Sequence, residues 1–380
     1  MKKVSISTRH RKDGNYEARI VINGKRYSRY GKSINEVKKK ARALQEESEK
    51  GHVIAKHIRL NIALERYLVD MKRPKVKSTT YDRAESTFKH HIKDETLGRM
   101  QIGAITPQDI QALLSSQCDT GLSQSSIKKI YNLLGEFFRY ATATKIIGCN
   151  PMELVEMPHI SNIQYKQKEM EVLTVEEMKR VISVAEQIDK KGKPVFRYGE
   201  AIILLLLTGL RSGELRALNI KDVDFNRKLL YVRQNIVYSK DRENGGIRYS
   251  ISEVKTQKSN RVIPLNDRAV LALKKMLETT CNYETGYFVC TRTGKILTHS
   301  NLQKCYSKIL EKANVKHMGM HSTRHTFATV VLKNAEDKGQ IKEVSELLGH
   351  SQVSTTYTYY IKTAEDDKRN LLNQLDVLVS

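Results

Sequence analysis

The sequence predicts a multidomain α+β protein with a small β-sheet-plus-helix N-terminal domain, an all-α middle domain, and a mainly α third domain that contains a small antiparallel sheet. Three hydrophobic patterns predict this class. Apolar residues alternate with polar ones near the start, recur at helical spacing in the middle, and form a continuous run at residues 201–207. The length of 380 residues and the hydrophobic content of 39% allow two or three domains with cores of their own.

Residues 1–56 begin with the predicted sheet. Within it, apolar side chains occupy every second position of one predicted strand, at Tyr16, Ala18, Ile20 and Ile22. The Asn23-Gly24 pair favours a type I′ turn, so the strand should fold back as a hairpin. Sixteen Lys or Arg against six Asp or Glu give residues 1–56 a net charge of +10.

A helix should follow the hairpin. Ser33 and Glu36 have the spacing of a capping box at its start. One face of this helix would collect Ile34, Val37, Ala41 and Leu44.

Residues 57–160 carry helical signals. Thr106 before Pro107 predicts a cap with proline in the first turn, and Asn150-Pro151 predicts the end of the last helix. Apolar residues recur at helical spacing at Ile127, Ile130, Leu133, Leu134 and Phe137. The polar stretch 162–169 predicts a linker into the third domain, residues 161–380.

The charge balance limits the class of partner. The chain has 66 Lys plus Arg against 42 Asp plus Glu, a net charge of +24, which favours nucleic acid, an anionic membrane face or acidic proteins. The run at residues 201–207 is far shorter than the ~20 residues of a membrane span. The start lacks the apolar core of a secretory signal, and the five cysteines are scattered. We therefore expect an intracellular protein without a disulfide framework or a zinc ribbon.

Three short motifs carry candidate chemistry. Thr208-Gly-Leu-Arg-Ser-Gly-Glu-Leu follows the apolar run, so Ser212 would cap a new helix and place Arg211 near its positive end. His321-Ser-Thr-Arg-His places His321 and Arg324 on one helical face. Leu347-Leu-Gly-His-Ser ends a helix at its glycine. Taken singly, each motif is also compatible with a structural ion pair or an ordinary surface histidine in a basic protein.

Together, in this order, these motifs resemble those of the tyrosine recombinases, the phage integrase family, over residues 171–365. The resemblance includes His350 in the Leu-Gly-His-Ser box and Tyr359 nine residues after it. It further implies a catalytic lysine in a β-hairpin, which matches Lys255, with Lys258 as a second candidate.

The resemblance also implies a domain layout and a setting. Residues 57–160 would be the helical core-binding domain, and residues 1–56 look like the arm-type DNA-binding domain of integrases from conjugative transposons and some phages. A solvated basic tail and a non-specific anchor are the alternatives for that first segment. The protein would be bacterial, cytoplasmic and associated with double-stranded DNA.

The residue roles then follow from phosphodiester chemistry. Tyr359 would be the nucleophile that forms a 3′-phosphotyrosyl link, with Arg211 and Arg324 on the non-bridging oxygens and Lys255 as the acid for the departing 5′ oxygen. His321 would carry the tyrosine proton, and His350 would donate a hydrogen bond to the phosphate. Glu214 would hold an arginine or a histidine rather than touch DNA.

No cofactor or metal is expected. The sequence contains no G-x-x-x-x-G-K-[ST] loop for ATP, and the motifs lack an acidic cluster for magnesium. A type IB topoisomerase and a DNA-binding regulator on an inactive recombinase scaffold are the competing interpretations. The recombinase interpretation is favoured because every catalytic residue type is present and the N-terminus is arm-like.

Recombination implies an assembly on DNA. Four protomers would hold two duplexes, so we expect a homo-tetramer on paired sites, and an excision factor would be a further partner. Near the C-terminus, leucines at one helical face occupy positions 371, 372, 375 and 378. This stripe would dock on a neighbouring protomer, or else pack on its own domain.

Overall fold

The computed structural model describes residues 6–22, 25–49, 58–158, 171–253, 260–333 and 338–349. The chain divides into two compact units, Met1–Gln167 and Lys168–Ser380. The fold is mixed α/β, with mostly helical elements and small antiparallel sheets. The predicted linker and the predicted domain boundaries at residues 56 and 160 lie outside the described residues.

The first unit begins with a three-stranded antiparallel sheet in the order β1-β2-β3. Its strands are β1 (Ile6–His10), β2 (Tyr16–Ile22) and β3 (Lys25–Gly31), followed by helix α1 (Ile34–Glu49). The predicted hairpin is confirmed, since Ile22 pairs with Lys25 across the turn. Its Asn23-Gly24 turn lies outside the described residues.

Helix α1 packs on one face of this sheet. Ala18 and Ile20 of β2, together with Val37 and Ala41 of α1, are buried. The expectation that Ile34 shares the buried face is wrong, because its side chain is 41% exposed. The Ser33 hydroxyl accepts from the Glu36 N–H as predicted, but the Glu36 carboxylate accepts from the Lys32 N–H.

The rest of the first unit is helical. Its α-helices are α2 (Leu60–Arg66), α3 (Ser78–His91), α4 (Thr96–Arg99), α5 (Pro107–Asp119) and α6 (Gln124–Ala143). Thr106 and Asp109 form a reciprocal capping box at the start of α5, which confirms the predicted cap. All five apolar positions predicted for α6 are buried in the core of this segment.

The predicted end of the last helix at Asn150-Pro151 is wrong. Helix α6 ends at Ala143, and Lys145 just beyond it adopts φ +57°, a left-handed conformation that does not continue an α-helix. The Asn150 side chain instead caps a short 3₁₀ turn, Pro151–Leu154, by accepting from the Met152 N–H.

The second unit is built around a buried helix. Its α-helices are α7 (Val175–Ala185), α8 (Gly199–Thr208), α9 (Ser212–Ala217), α10 (Asp267–Thr279), α11 (His299–Lys312), α12 (His321–Lys333) and α13 (Lys338–Leu348). Residues 201–206 of α8 are all buried, which confirms the predicted core helix. Helices α7, α10, α11 and α12 pack around it.

Two small antiparallel sheets complete the second unit. One has the order β4-β5-β8, from β4 (Val223–Asp224), β5 (Leu229–Val232) and β8 (Arg261–Pro264). The other is a hairpin of β6 (Gln234–Lys240) and β7 (Ile247–Glu253), and β6 packs on α9. Among the described residues, no helix combines the length and apolarity needed to cross a bilayer.

Replacing two helical glycines of the first unit by alanine should change stability in opposite directions. A Cβ on Gly98 in α4 would lie 2.1 Å from the Ile92 carbonyl oxygen, whereas the nearest atom to a Cβ on Gly135 in α6 is the Met152 methyl at 3.8 Å. We expect Gly98→Ala to destabilise this segment by about 1–3 kcal/mol and Gly135→Ala to stabilise it by up to about 1 kcal/mol.

Hydrogen exchange of peptides from residues 58–158 in the full chain measures both effects. Faster exchange is expected for Gly98→Ala and slower exchange for Gly135→Ala. Equal exchange in both variants would contradict the close approach of backbone at Gly98.

Candidate active site

The turn between α8 and α9 places Arg211. Gly209 ends α8 with φ +63°, and a Cβ there would lie 2.5 Å from the ring of Phe327. Arg211 then occupies the N-cap of α9, and Ser212 is its first helical residue. The expectation that Ser212 caps this helix is therefore wrong by one residue, because Arg211 is the N-cap; the Glu214 carboxylate accepts from the Arg211 backbone N–H.

Arg211 is half-buried and held on one side. Its Nη1 donates to Glu214 Oε1 at 2.8 Å, and its Nη2 donates to the Gly349 carbonyl at 3.3 Å. The side chain is 37% exposed. Two of the five guanidinium N–H groups are thus engaged by described residues.

Glu214 is the buried carboxylate of the site. It accepts two hydrogen bonds from Arg211, at the backbone N–H and at Nη1, and two from Arg261, whose Nη1 and Nη2 lie 3.1 and 2.9 Å from its two oxygens. Burial by itself raises the pKa of this carboxyl, but the hydrogen bonds and charges of Arg261, with those of Arg211, outweigh burial and hold the pKa at about 2. Glu214 is therefore ionised at neutral pH.

The sequence motifs assign no function to Arg261, although it lies close in the chain to the candidate lysines Lys255 and Lys258. It stands on the inward face of β8 together with Ile263, and it is only 7% exposed. Its Nε donates to the Leu347 carbonyl at 2.6 Å. An arginine in register with apolar positions of a strand is the signal that predicts a buried acidic partner.

Arg324 is almost completely buried. It lies in the first turn of α12 and is 2% exposed. Its Nη1 donates to the Gly209 carbonyl at 2.7 Å, and its Nη2 donates to the Leu348 carbonyl. Arg324 therefore ties the end of α8 to the end of α13.

Three guanidinium groups meet at the C-terminus of α13. Arg261, Arg324 and Arg211 bind the successive carbonyls of residues 347, 348 and 349. The last carbonyls of a helix lack partners within the helix and carry the negative end of its dipole, so cations are favoured there. The turn that precedes His350 is thus fixed from three different elements.

His321 is exposed at the start of α12, and its ring contacts that of His325 edge to face, with centroids 4.7 Å apart. Partial burial lowers the pKa of the imidazole below 6.5, and the positive charges of Arg324 and Arg211 lower it further, although Glu214 acts in the opposite direction. The neutral imidazole is therefore favoured, and this form can accept a proton.

A serine and a histidine flank this site. Ser212 Oγ lies 3.0 Å from Nδ1 of His299, and burial followed by the charge of Arg216 lowers the pKa of that histidine. Arg216 is itself buried and donates to the carbonyls of Ser212 and Leu297. These residues fix the first turn of α9 beside Arg211.

The structure thus brings together four of the predicted site residues, Arg211, Glu214, His321 and Arg324. Lys255, Lys258, His350, Tyr357, Tyr359 and Tyr360 lie outside the described residues, as does the leucine stripe after residue 370. Within the described part of the chain, no three His, Cys, Asp or Glu side chains are grouped to hold a metal ion.

Both units of the chain match models of known protein families. The model of the phage integrase family matches residues 171–366, and that of the phage integrase N-terminal SAM-like domain matches residues 60–116. A tyrosine recombinase XerC-like protein of Caldanaerobacter subterraneus is 30% identical, over 98% of this chain and 98% of its own length. A tyrosine recombinase XerD of Staphylococcus epidermidis is 28% identical over 73% of this chain and 85% of its own.

Solved structures share the fold. The Tn1549 transposon integrase superposes with a TM-score of 0.66 at 21% identity, covering 83% of this chain and 100% of the solved one. The integrase of phage lambda superposes with a TM-score of 0.56 at 19% identity, covering 95% of this chain and 96% of the solved one. The family match spans more than half of the chain and the XerC-like relative nearly all of it, so the chain belongs to the phage integrase family of tyrosine recombinases.

Proposed function

We propose that this recombinase cuts and rejoins DNA through a 3′-phosphotyrosyl intermediate on Tyr359, and so integrates and excises a mobile element. The observation that carries the proposal is the position of Arg211. Its guanidinium is partly exposed and held on one side by an ionised and buried Glu214, and its charge helps to lower the pKa of His321.

The two arginines stabilise charge in different ways. Arg211 presents N–H groups that bind the non-bridging oxygens of the scissile phosphate. Arg324 is buried, so its charge acts from within a low-dielectric region, where a fixed cation stabilises charge that grows in the transition state.

Side chains of this protein supply the nucleophile, the proton acceptor and the proton donor of the cleavage step. The Tyr359 oxygen forms a bond to phosphorus, and its proton passes to the neutral imidazole of His321. The bond from phosphorus to the 5′ oxygen breaks, and Lys255 or Lys258 supplies the proton that this oxygen takes. His350 donates a hydrogen bond to the phosphate. The tyrosyl ester keeps the energy of the phosphodiester, so a 5′ hydroxyl from another duplex rejoins the strand without ATP.

The domain roles are part of the same proposal. Residues 1–56 form the arm-type DNA-binding domain, residues 57–160 the core-binding domain, and residues 161–380 the catalytic domain with the C-terminal tail. Solved structures of the Tn1549 integrase in complex with transposon end DNA, and of a lambda integrase tetramer bound to a Holliday junction, support DNA as substrate and four protomers as the working assembly. An excision factor would be an additional partner.

The open face of the N-terminal sheet supports DNA binding there. Glu17 is buried on this face and accepts hydrogen bonds from Arg9 at 2.5 Å, Arg19 at 3.0 Å and Ser28 at 2.8 Å. The hydrogen bonds from Arg19 and Ser28 are the main reasons that the pKa of Glu17 falls to about 2. The carboxylate therefore stays charged and holds both guanidinium groups in fixed positions on the sheet.

Replacement of the nucleophile tests the reaction. We expect Tyr359→Phe to bind core-site DNA with unchanged affinity and to form no covalent adduct on a nicked suicide substrate, because it lacks the attacking oxygen. Tyr357→Phe and Tyr360→Phe are matched controls that should still form the adduct. A covalent complex with Tyr359→Phe would contradict the assignment.

The pH dependence of cleavage tests His321. Because its pKa lies below 6.5, the imidazole is neutral at pH 7, and the single-turnover cleavage rate should fall only as the pH drops below 6.5 and the ring takes up a proton. His321→Gln should lower the rate on the plateau and remove this acid limb. An acid limb that persists in His321→Gln would assign the titration to another group.

Removal of the sheet arginines tests the arm domain. We expect Arg9→Ala/Arg19→Ala to weaken binding to a distal arm site at ~150 mM salt by about tenfold or more, while cleavage of an isolated core site stays normal. Lys38→Ala/Lys40→Ala on α1 removes the same charge and is the control. Equal losses in both double variants would indicate non-specific attraction to DNA instead of a reading face.

A further inference from the structure

We propose that Arg261 is a positioning residue of the cleavage reaction, which holds Arg211 through Glu214 and fixes both against the end of α13. The inference rests on the proposed function of this site. Three nitrogens of one guanidinium take part, since Nη1 and Nη2 bind the two oxygens of Glu214 while Nε binds the Leu347 carbonyl.

Arg261 acts through other residues rather than on DNA. It is 7% exposed, and its described hydrogen bonds run to α9 and to α13. The side chain crosses the last turn of α13 so closely that a Cβ on Gly349 would lie 3.1 Å from Cδ of Arg261. A residue in this place cannot contact substrate, yet it connects α9, whose N-cap is Arg211, with the last turn of α13.

The effect on Arg211 follows from the hydrogen bonds of Glu214. Two of its four donors come from Arg261, and the other two come from Arg211. Without the bidentate contact, the carboxylate is free to rotate, and its bond to Arg211 Nη1 loses its fixed direction. Catalytic groups that shift by about 1 Å typically lose on the order of 10²-fold in rate.

An arginine at position 261 is better explained by the geometry of its hydrogen bonds than by a gain in stability. A buried ion pair is seldom more stable than apolar packing of the same volume, and Ile263 on the same face of β8 shows that apolar packing is available. Only a planar fork reaches both carboxylate oxygens and a carbonyl at once, because an ammonium is a point charge. Arg261→Lys keeps the positive charge but not these directions.

The test uses the full chain and single-turnover cleavage of a nicked core-site substrate. Arg261→Lys and Arg261→Met should bind core-site DNA normally and cleave it on the order of 10- to 100-fold more slowly than the unchanged protein. The control is Arg268→Met, which removes an arginine paired with Glu186 and Glu200 elsewhere in the same unit and should cleave normally.

A double-mutant cycle separates positioning from a merely structural role. If Arg261 acts through Arg211, Arg261→Lys should slow cleavage less than about threefold in an Arg211→Ala background, because the group that it positions is already absent. The same fold-loss in both backgrounds would overturn the proposal. The proposal would also be overturned if Arg261→Lys cleaves at the normal rate. A cooperative thermal transition would show that this variant is folded.

Different results would contradict the proposed function and the role of Arg261. If the unchanged protein forms no Tyr359-dependent adduct on the suicide substrate, the proposed function fails. If the adduct forms normally and Arg261→Lys reacts as fast as the unchanged protein, only the positioning role of Arg261 fails.

Discussion

The arrangement of the site depends on one buried carboxylate. Glu214 accepts four hydrogen bonds, two from each of two arginines that come from different elements. Removing Glu214 would leave the buried charge of Arg261 without this carboxylate partner, at a cost of several kcal/mol. The N-cap of α9, the strand β8 and the end of α13 are therefore positioned relative to each other by electrostatics as much as by apolar packing.

Two arginines of this site, Arg211 and Arg324, differ in their exposure. Arg211 is partly exposed, whereas Arg324 is buried against two helix ends. The charges of both arginines also lower the pKa of His321 and so favour its neutral imidazole. In the proposed reaction, the binding of the phosphate and the acceptance of the tyrosine proton would therefore share an electrostatic origin.

The sequence predicts those parts of the structure that depend on local pattern. The core helix α8, the buried face of α6 and the cap at Thr106 follow from periodicity and capping chemistry. The end of α6 and the role of Arg261 do not. The first depends on a left-handed residue, Lys145, that no glycine marks, and the second depends on a partner 47 positions away in the chain. Motifs identified Arg211, His321 and Arg324, but only the fold shows that one of these arginines is buried.

The three guanidinium groups at the end of α13 bind main-chain oxygens, which every residue type provides. Substitutions along α13 that preserve the helix leave these acceptors in place. The constraint falls instead on Gly349, where φ is +64° and the side chain of Arg261 leaves little room for a Cβ. The exposed side chains of α13 can therefore change, and the helix can acquire new surface properties, without disturbing the arginines that it orders.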